Sequence, residues 1–128
     1  MSKLRNNGEW TPARRKAFIV SVLRSGTRKY PPKYLTLSSA KTDKKVNTKT
    51  NRIAQHFLCA ECRNDFPAKE VQVDHINPVV GVNGFTTWDS YIENLFCDEE
   101  NLQVLCLECH GRKTKLERET SRVYKKLL

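Results

Sequence analysis

An α+β fold is predicted for this chain, with a basic helical half followed by a short-stranded, cysteine-bearing half. Three observations predict it. Thr11-Pro12 opens a helical pattern, Val71-Gln72-Val73-Asp74-His75 alternates apolar and polar at a period of two, and the pairs Cys59-Ala60-Glu61-Cys62 and Cys106-Leu107-Glu108-Cys109 flank that alternation.

In chain order, Thr11 can cap the first helix, and Pro12 suits its first position because the missing N–H would have had no partner there. Ala17, Phe18, Val20, Val22 and Leu23 carry the apolar surface to about Leu23 or Arg24, and Gly26 is the natural stop. Arg14, Arg15 and Lys16 lie on the other faces, either solvated or in contact with phosphate. Tyr30-Pro31-Pro32 then breaks the chain, because tandem prolines disfavour helix before them and suit the start of one after them; a second helix is expected from about Pro32 to Lys41. Thr42 to Arg52 is Lys, Asn and Thr around a single Val. Too polar to bury, it reads as a flexible basic loop, whose Lys44 and Lys45 either track a nucleic-acid backbone or belong to a plain linker.

Gln55-His56-Phe57-Leu58 is expected as a short strand leading into the first cysteine pair, and Leu102 to Leu105 as the strand that partners residues 71–75. Between these, Asn77-Pro78 and Gly81 to Gly84 are loop. Trp88 to Phe96 forms an amphipathic helix capped by Thr86 or Thr87, with Trp88, Tyr91, Ile92, Leu95 and Phe96 inward, and the insert reads as packing. From Cys106 the chain turns into a last helix through Lys113, Leu116 and Glu119, and residues 118–128 either continue it or fray. His56 has no motif partner and receives no function, and the odd thiol, Cys97, reads as a buried small hydrophobe.

Each Cys-x-x-Cys places two sulfurs on one tight knuckle, and two knuckles complete a tetrahedral zinc site closed to water. Disulfides or unrelated core thiols are the alternatives, disfavoured by the paired spacing in a chain whose start, residues 1–6, lacks the apolar core of an export signal. A closed site is structural, so Asp74, His75, Asn101 and His110 need a separate explanation. No apolar run approaches the ~20 residues that span a bilayer, and a reducing cytoplasm is the expected location.

Charge is unevenly spread. Residues 1–57 hold fourteen Lys or Arg against Glu9 and Asp43, and residues 58–128 hold nine against twelve acids, so the net charge of +9 sits in the first half. Such a half suits a polyanion, since each neutralised phosphate releases condensed counterions; a solvated surface, or ribosomal or membrane association, is the alternative. The chain therefore divides into a basic helical extension, residues 1–56, expected to be a nucleic-acid-binding arm, and a zinc-bearing core, residues 57–128. With roughly 38% hydrophobic residues it can build a small core that a metal would staple.

The ordered set Cys-x-x-Cys, Val73-Asp74-His75-Ile76, Asn101-Leu102-Gln103-Val104-Leu105-Cys106-x-x-Cys109-His110-x-x-Lys113-Thr114 resembles the HNH endonuclease family, in particular its small zinc-bearing phage members. The resemblance covers about residues 57–116, and Gly84-Phe85-Thr86-Thr87-Trp88 through Cys97 also looks typical of the phage branch. It implies a ββα-metal unit and metal-dependent DNA cleavage leaving 3′-hydroxyl and 5′-phosphate ends. Its setting would be the host cytoplasm, with terminase or portal proteins as possible partners. A non-catalytic zinc-finger DNA-binding module is the competing reading, and an RNA-directed nuclease or toxin a third.

Phosphodiester hydrolysis needs a proton acceptor for water, a cation on the charged transition state and help for the leaving oxygen. His75 is the candidate base because imidazole titrates near neutral pH. Asp74 offers a hard oxygen ligand and His110 a nitrogen ligand for Mg²⁺, Mn²⁺ or a similar ion, although His110 could also displace Cys109 from the zinc. Neighbours on a regular strand face opposite ways, so the resemblance implies that the strand ends here and a loop lets Asp74 and His75 converge. Asn101, preferred over Asn94 for its motif context, would accept the His75 ring N–H on its amide oxygen. Arg112 and Lys113 either hold phosphate or form a solvated helix face.

Overall fold

The computed structural model describes residues 5–127; the first four residues of the N-terminal stretch that lacks an export-signal core, and the end of the C-terminal tail, lie outside them. The chain forms two compact units, Met1–Tyr30 and Pro31–Leu128.

The first unit is built on α1 (Pro12–Gly26), where the Arg14 N–H donates to Thr11 Oγ1 at 3.2 Å and Thr27 takes over beyond Gly26. Trp10 meets Phe18 edge-on at 5.2 Å, and the Arg14 guanidinium lies 5.2 Å over the Trp10 ring. No residue of α1 is buried, so its predicted apolar stripe, Phe18 and Val22 included, remains largely open.

The second unit starts with α2 (Pro31–Ser39), close to the expected helix. The predicted flexible loop after it is instead a β-hairpin, β1 (Lys41–Asn47) and β2 (Arg52–Leu58), paired from Lys44↔Gln55 to Asn47↔Arg52 with a bulge after Lys41. Its turn is chemically specified. The Asn47 side-chain oxygen accepts the Lys49 N–H at 3.0 Å, its carbonyl accepts the Asn51 N–H at 2.7 Å, and Asn51 occupies the left-handed region at φ 58°, which Asn tolerates. A polar composition hid the strands; the two asparagines define the turn.

β2 starts ahead of the expected Gln55 and pairs on its other side with β3 (Asp65–Pro67), giving the sheet order β1-β2-β3. A second, two-stranded sheet pairs β4 (Val71–His75) antiparallel with β5 (Leu102–Cys106), in the register Val71↔Cys106 through Asp74↔Gln103 to His75↔Leu102. Inserted between them is α3 (Trp88–Leu95), whose cap is Thr87, accepting the Ser90 N–H at 3.1 Å. Tyr91 and Leu95 are buried, but Ile92 is 42% exposed, correcting its expected inward position. α4 (Leu107–Leu127) follows β5 without a loop and carries the tail as helix.

Two small cores result. Phe57, Val71 and Val104 pack with Leu37 and Ala40, and Cys59, Leu105, Cys106 and Cys109 pack with Cys62 and Phe66. His56 is also buried, its Nδ1 donating to the Ala54 carbonyl at 2.9 Å. No described helix is long and apolar enough to cross a membrane.

Candidate metal centre and active site

The second core cluster is a ligand set. The sulfurs of Cys59, Cys62, Cys106 and Cys109 all lie within 4.8 Å of one another, and none is in a disulfide. A tetrahedral zinc ion with sulfur at about 2.3 Å sets sulfur–sulfur edges of about 3.8 Å, so the arrangement fits the ion its donors suit. The first knuckle is tied to β5 by the Ala60 N–H on the Val104 carbonyl at 2.8 Å, and is closed by the Arg63 N–H on the Cys59 carbonyl at 3.0 Å, with Arg63 at φ 64°. The second knuckle is the β5–α4 junction itself, so strand and helix leave the same site.

The thiols differ. Burial pushes Cys59 up, but hydrogen bonds from the backbone of Cys106, Cys62 and Glu61 together bring it down to about 6. Burial, then the hydrogen bond with Cys106, pushes Cys109 up to about 12, against the lowering effect of Arg112. Arg112 donates to Cys109 Sγ at 3.2 Å and to Glu108 at 3.4 Å. His110 stays out of the sulfur cluster.

The face of β4 toward α4 carries a polar cluster around Asp74, whose side chain is only 11% exposed. Lys113 Nζ sits 3.1 Å from Asp74 Oδ2, Gln103 Nε2 donates to the same oxygen at 3.2 Å, and His110 Nε2 lies 3.6 Å from Oδ1. Lys113 also donates to the His75 carbonyl at 2.8 Å and pairs with Glu117 at 3.2 Å. It thereby ties α4 to β4.

His75 engages a different neighbour: its Nε2 lies 2.9 Å from the Leu95 carbonyl at the end of α3. β4 ends at His75, as expected, but no loop makes the two side chains converge: Asp74 and His75 are both still paired within β4, and their contacts alternate accordingly, Asp74 toward α4 and His75 toward α3. The expected Asn101 bond to the His75 ring is also corrected. Asn101 Oδ1 accepts the Asn77 N–H at 2.8 Å and Nδ2 donates to the Asn77 carbonyl at 3.2 Å, because the loop beyond His75 brings its backbone to that amide. Asn94 donates to the Val79 carbonyl. Cys97 is half-buried rather than buried, with its sulfur 3.9 Å from Asn101 Nδ2.

Among the basic residues singled out in the sequence, Arg15, Lys16 and Lys44 are exposed, Arg14 stacks on Trp10, and Lys45 pairs with Asp65. Arg112 and Lys113 face the sulfur cluster and Asp74 respectively, so the structure gives both an internal partner. What the sequence did not reveal is the acceptor for His75. The insert expected only to pack also delivers a carbonyl, and a backbone oxygen leaves no mark in residue identity.

A two-stranded antiparallel ribbon feeding a helix, with four clustered cysteines that could hold a metal ion and a strand-end histidine, defines a ββα unit. Residues 59–116 match the model of the HNH endonuclease family, so this part of the chain is an HNH endonuclease domain. Searches of curated proteins and of solved structures found no match.

Proposed function

We propose that the domain is a metal-dependent DNA endonuclease that hydrolyses phosphodiester bonds with His75 as general base. The Leu95 contact supports this most: a carbonyl oxygen can only accept, so Nε2 carries the ring proton and Nδ1 keeps its lone pair. Nδ1 can then take the proton of an attacking water. The Leu95 carbonyl lies at the negative end of α3, which favours the imidazolium that forms.

Asp74 and His110 offer an oxygen and a nitrogen 3.6 Å apart, donors that Mg²⁺, Mn²⁺ or a similar ion accepts. When bound, such an ion supplies positive charge to the phosphate and the departing oxygen. Lys113 and Gln103 hold and aim the Asp74 carboxylate. Asn101 clamps the loop after β4, and the four cysteines hold zinc as scaffold. The basic residues of segment 1–56 supply the DNA-binding surface. A phage role in DNA processing or packaging belongs to the same reading, and altered cleavage on adding terminase or portal protein would be its sign.

One observation favours a second reading, a catalytically silent DNA-binding module: the Lys113 ammonium already neutralises Asp74. Supercoiled plasmid separates the two. Wild type should nick it only with Mg²⁺ or Mn²⁺ added, and His75→Ala should not nick it while keeping its zinc. Equal cutting by both proteins removes His75 as base, and plasmid binding without nicking under any ion establishes the silent module.

A further inference from the structure

We infer that the β1–β2 hairpin is a ribbon that docks in a groove of duplex DNA beside the HNH site, an inference that deepens the endonuclease reading and rests on it. The row of β2 that faces the core does not stop where the core stops. Phe57 is buried, Gln55 is half-buried, and Ile53, next in the same row, is 73% exposed. Its cross-strand partner Val46 is 55% exposed, and Lys44, paired with Gln55, shares that face. The hairpin thus carries an uncovered β-branched pair.

Charge identifies what covers it. The hairpin holds Lys41, Lys44, Lys45, Lys49 and Arg52 against Asp43 alone. Lys45 and Lys49 are paired with Asp65 and Glu70, whereas Lys41, Lys44 and Arg52 have no ion pair among the described residues. A second copy of this chain would bring like charges together, since each copy carries +9. Duplex DNA matches both features: phosphates flank the major groove, and base edges with thymine methyls line it. A two-stranded ribbon fits the major groove, roughly 12 Å wide.

The turn also has a defined place. Lys49 is held 3.2 Å from Glu70, the residue before β4. His75 ends that strand, and five steps at about 3.3 Å put it roughly 16 Å along the chain axis, or about five base pairs of duplex. Ribbon and HNH site can therefore engage one DNA segment.

The test uses zinc-loaded, full-length His75→Ala protein without added Mg²⁺, so that binding is read without cutting. A labelled duplex of about 30 base pairs, roughly three helical turns, is titrated by fluorescence anisotropy across a salt series. Replacing the apolar pair, Val46→Ser with Ile53→Ser, should weaken binding at least tenfold at every salt concentration without changing the salt slope. Replacing the cations, Lys44→Ala with Arg52→Ala, should flatten the slope by about 0.9 for each phosphate no longer neutralised. Zinc content and circular dichroism confirm that the variants fold.

If both variants bind with the parent's affinity and slope, the hairpin inference is wrong. It is equally wrong if the apolar variant leaves DNA binding intact and abolishes a concentration-dependent dimer. Plasmid nicking by wild type with Mg²⁺ reports the endonuclease reading separately: nicking with unaffected hairpin variants removes the inference alone, and hairpin-dependent binding without nicking removes the endonuclease alone.

Discussion

Asn101 makes two hydrogen bonds to one residue, accepting the Asn77 N–H at 2.8 Å and donating to the Asn77 carbonyl at 3.2 Å. Both groups belong to the backbone just past His75, so the side chain acts as a missing strand neighbour. Removing it leaves that N–H and that carbonyl to find water. Asn101→Ala should therefore cost about 1–2 kcal/mol of stability and lower the nicking rate more than DNA affinity, with zinc content unchanged. Asn101→Asp retains the acceptor and loses the donor, and should fall between the two. A variant as stable and as fast as wild type would remove the clamp. Asp65 allows a second residue-scale prediction. The Lys45 ammonium, then the Thr42 hydroxyl, holds its carboxyl below the usual carboxylate range. A lowered folded value means stability that is present above the unfolded carboxylate value and lost as pH falls through the folded one. Thermal melts from neutral pH downward should show Asp65→Asn losing less stability than wild type across that acidic window; parallel curves would show that the pair contributes nothing.

At the scale of elements, how far the sequence was readable depended on where each element's specification resides. β4 and β5 were legible because Val71, Val73, Leu102 and Val104 alternate with polar residues, and α3 because Thr87 caps an aromatic-rich stripe. Cys59, Cys62, Cys106 and Cys109 were legible because thiolate chemistry constrains their spacing. The hairpin was not, since its outer strand buries nothing and its register comes from the Asn47 and Asn51 turn. The His75 acceptor was not either, because Leu95 acts through its carbonyl, and the choice of Asn77 for Asn101 depends on a loop path that no residue type encodes. The first knuckle adds a prediction of its own. Arg63, at φ 64°, holds a left-handed conformation that costs a side-chain-bearing residue about 1 kcal/mol. Arg63→Gly should relieve that strain and leave stability unchanged or higher by about 0.5–1 kcal/mol, net of glycine's greater unfolded freedom. A loss beyond about 1 kcal/mol in denaturant unfolding would mean that the Arg63 side chain itself supports the knuckle.

For the whole molecule, the sulfur cluster joins two segments far apart in sequence: the knuckle after β2 and the junction of β5 with α4. The hydrophobic clusters beside it are small, so the free energy of a metal bound by the four thiols would be a large share of what holds the HNH unit together. The polar cluster differs in kind. Asp74 already has Lys113 and Gln103 as partners, so loss of a divalent ion held by Asp74 and His110 would leave no uncompensated buried charge. Two metal dependences should therefore separate. Brief treatment with a weak chelator that strips Mg²⁺ or Mn²⁺ should stop nicking and leave the melting curve in place, with activity restored by adding either ion back. Prolonged treatment with a strong zinc chelator, or Cys59→Ser, should release the zinc and unfold the 59–116 unit, and Mg²⁺ alone should not restore it. Circular dichroism, zinc analysis and plasmid nicking on the same samples read the two losses independently. A stable, fully active Cys59→Ser protein would show that the four thiols do not scaffold the site.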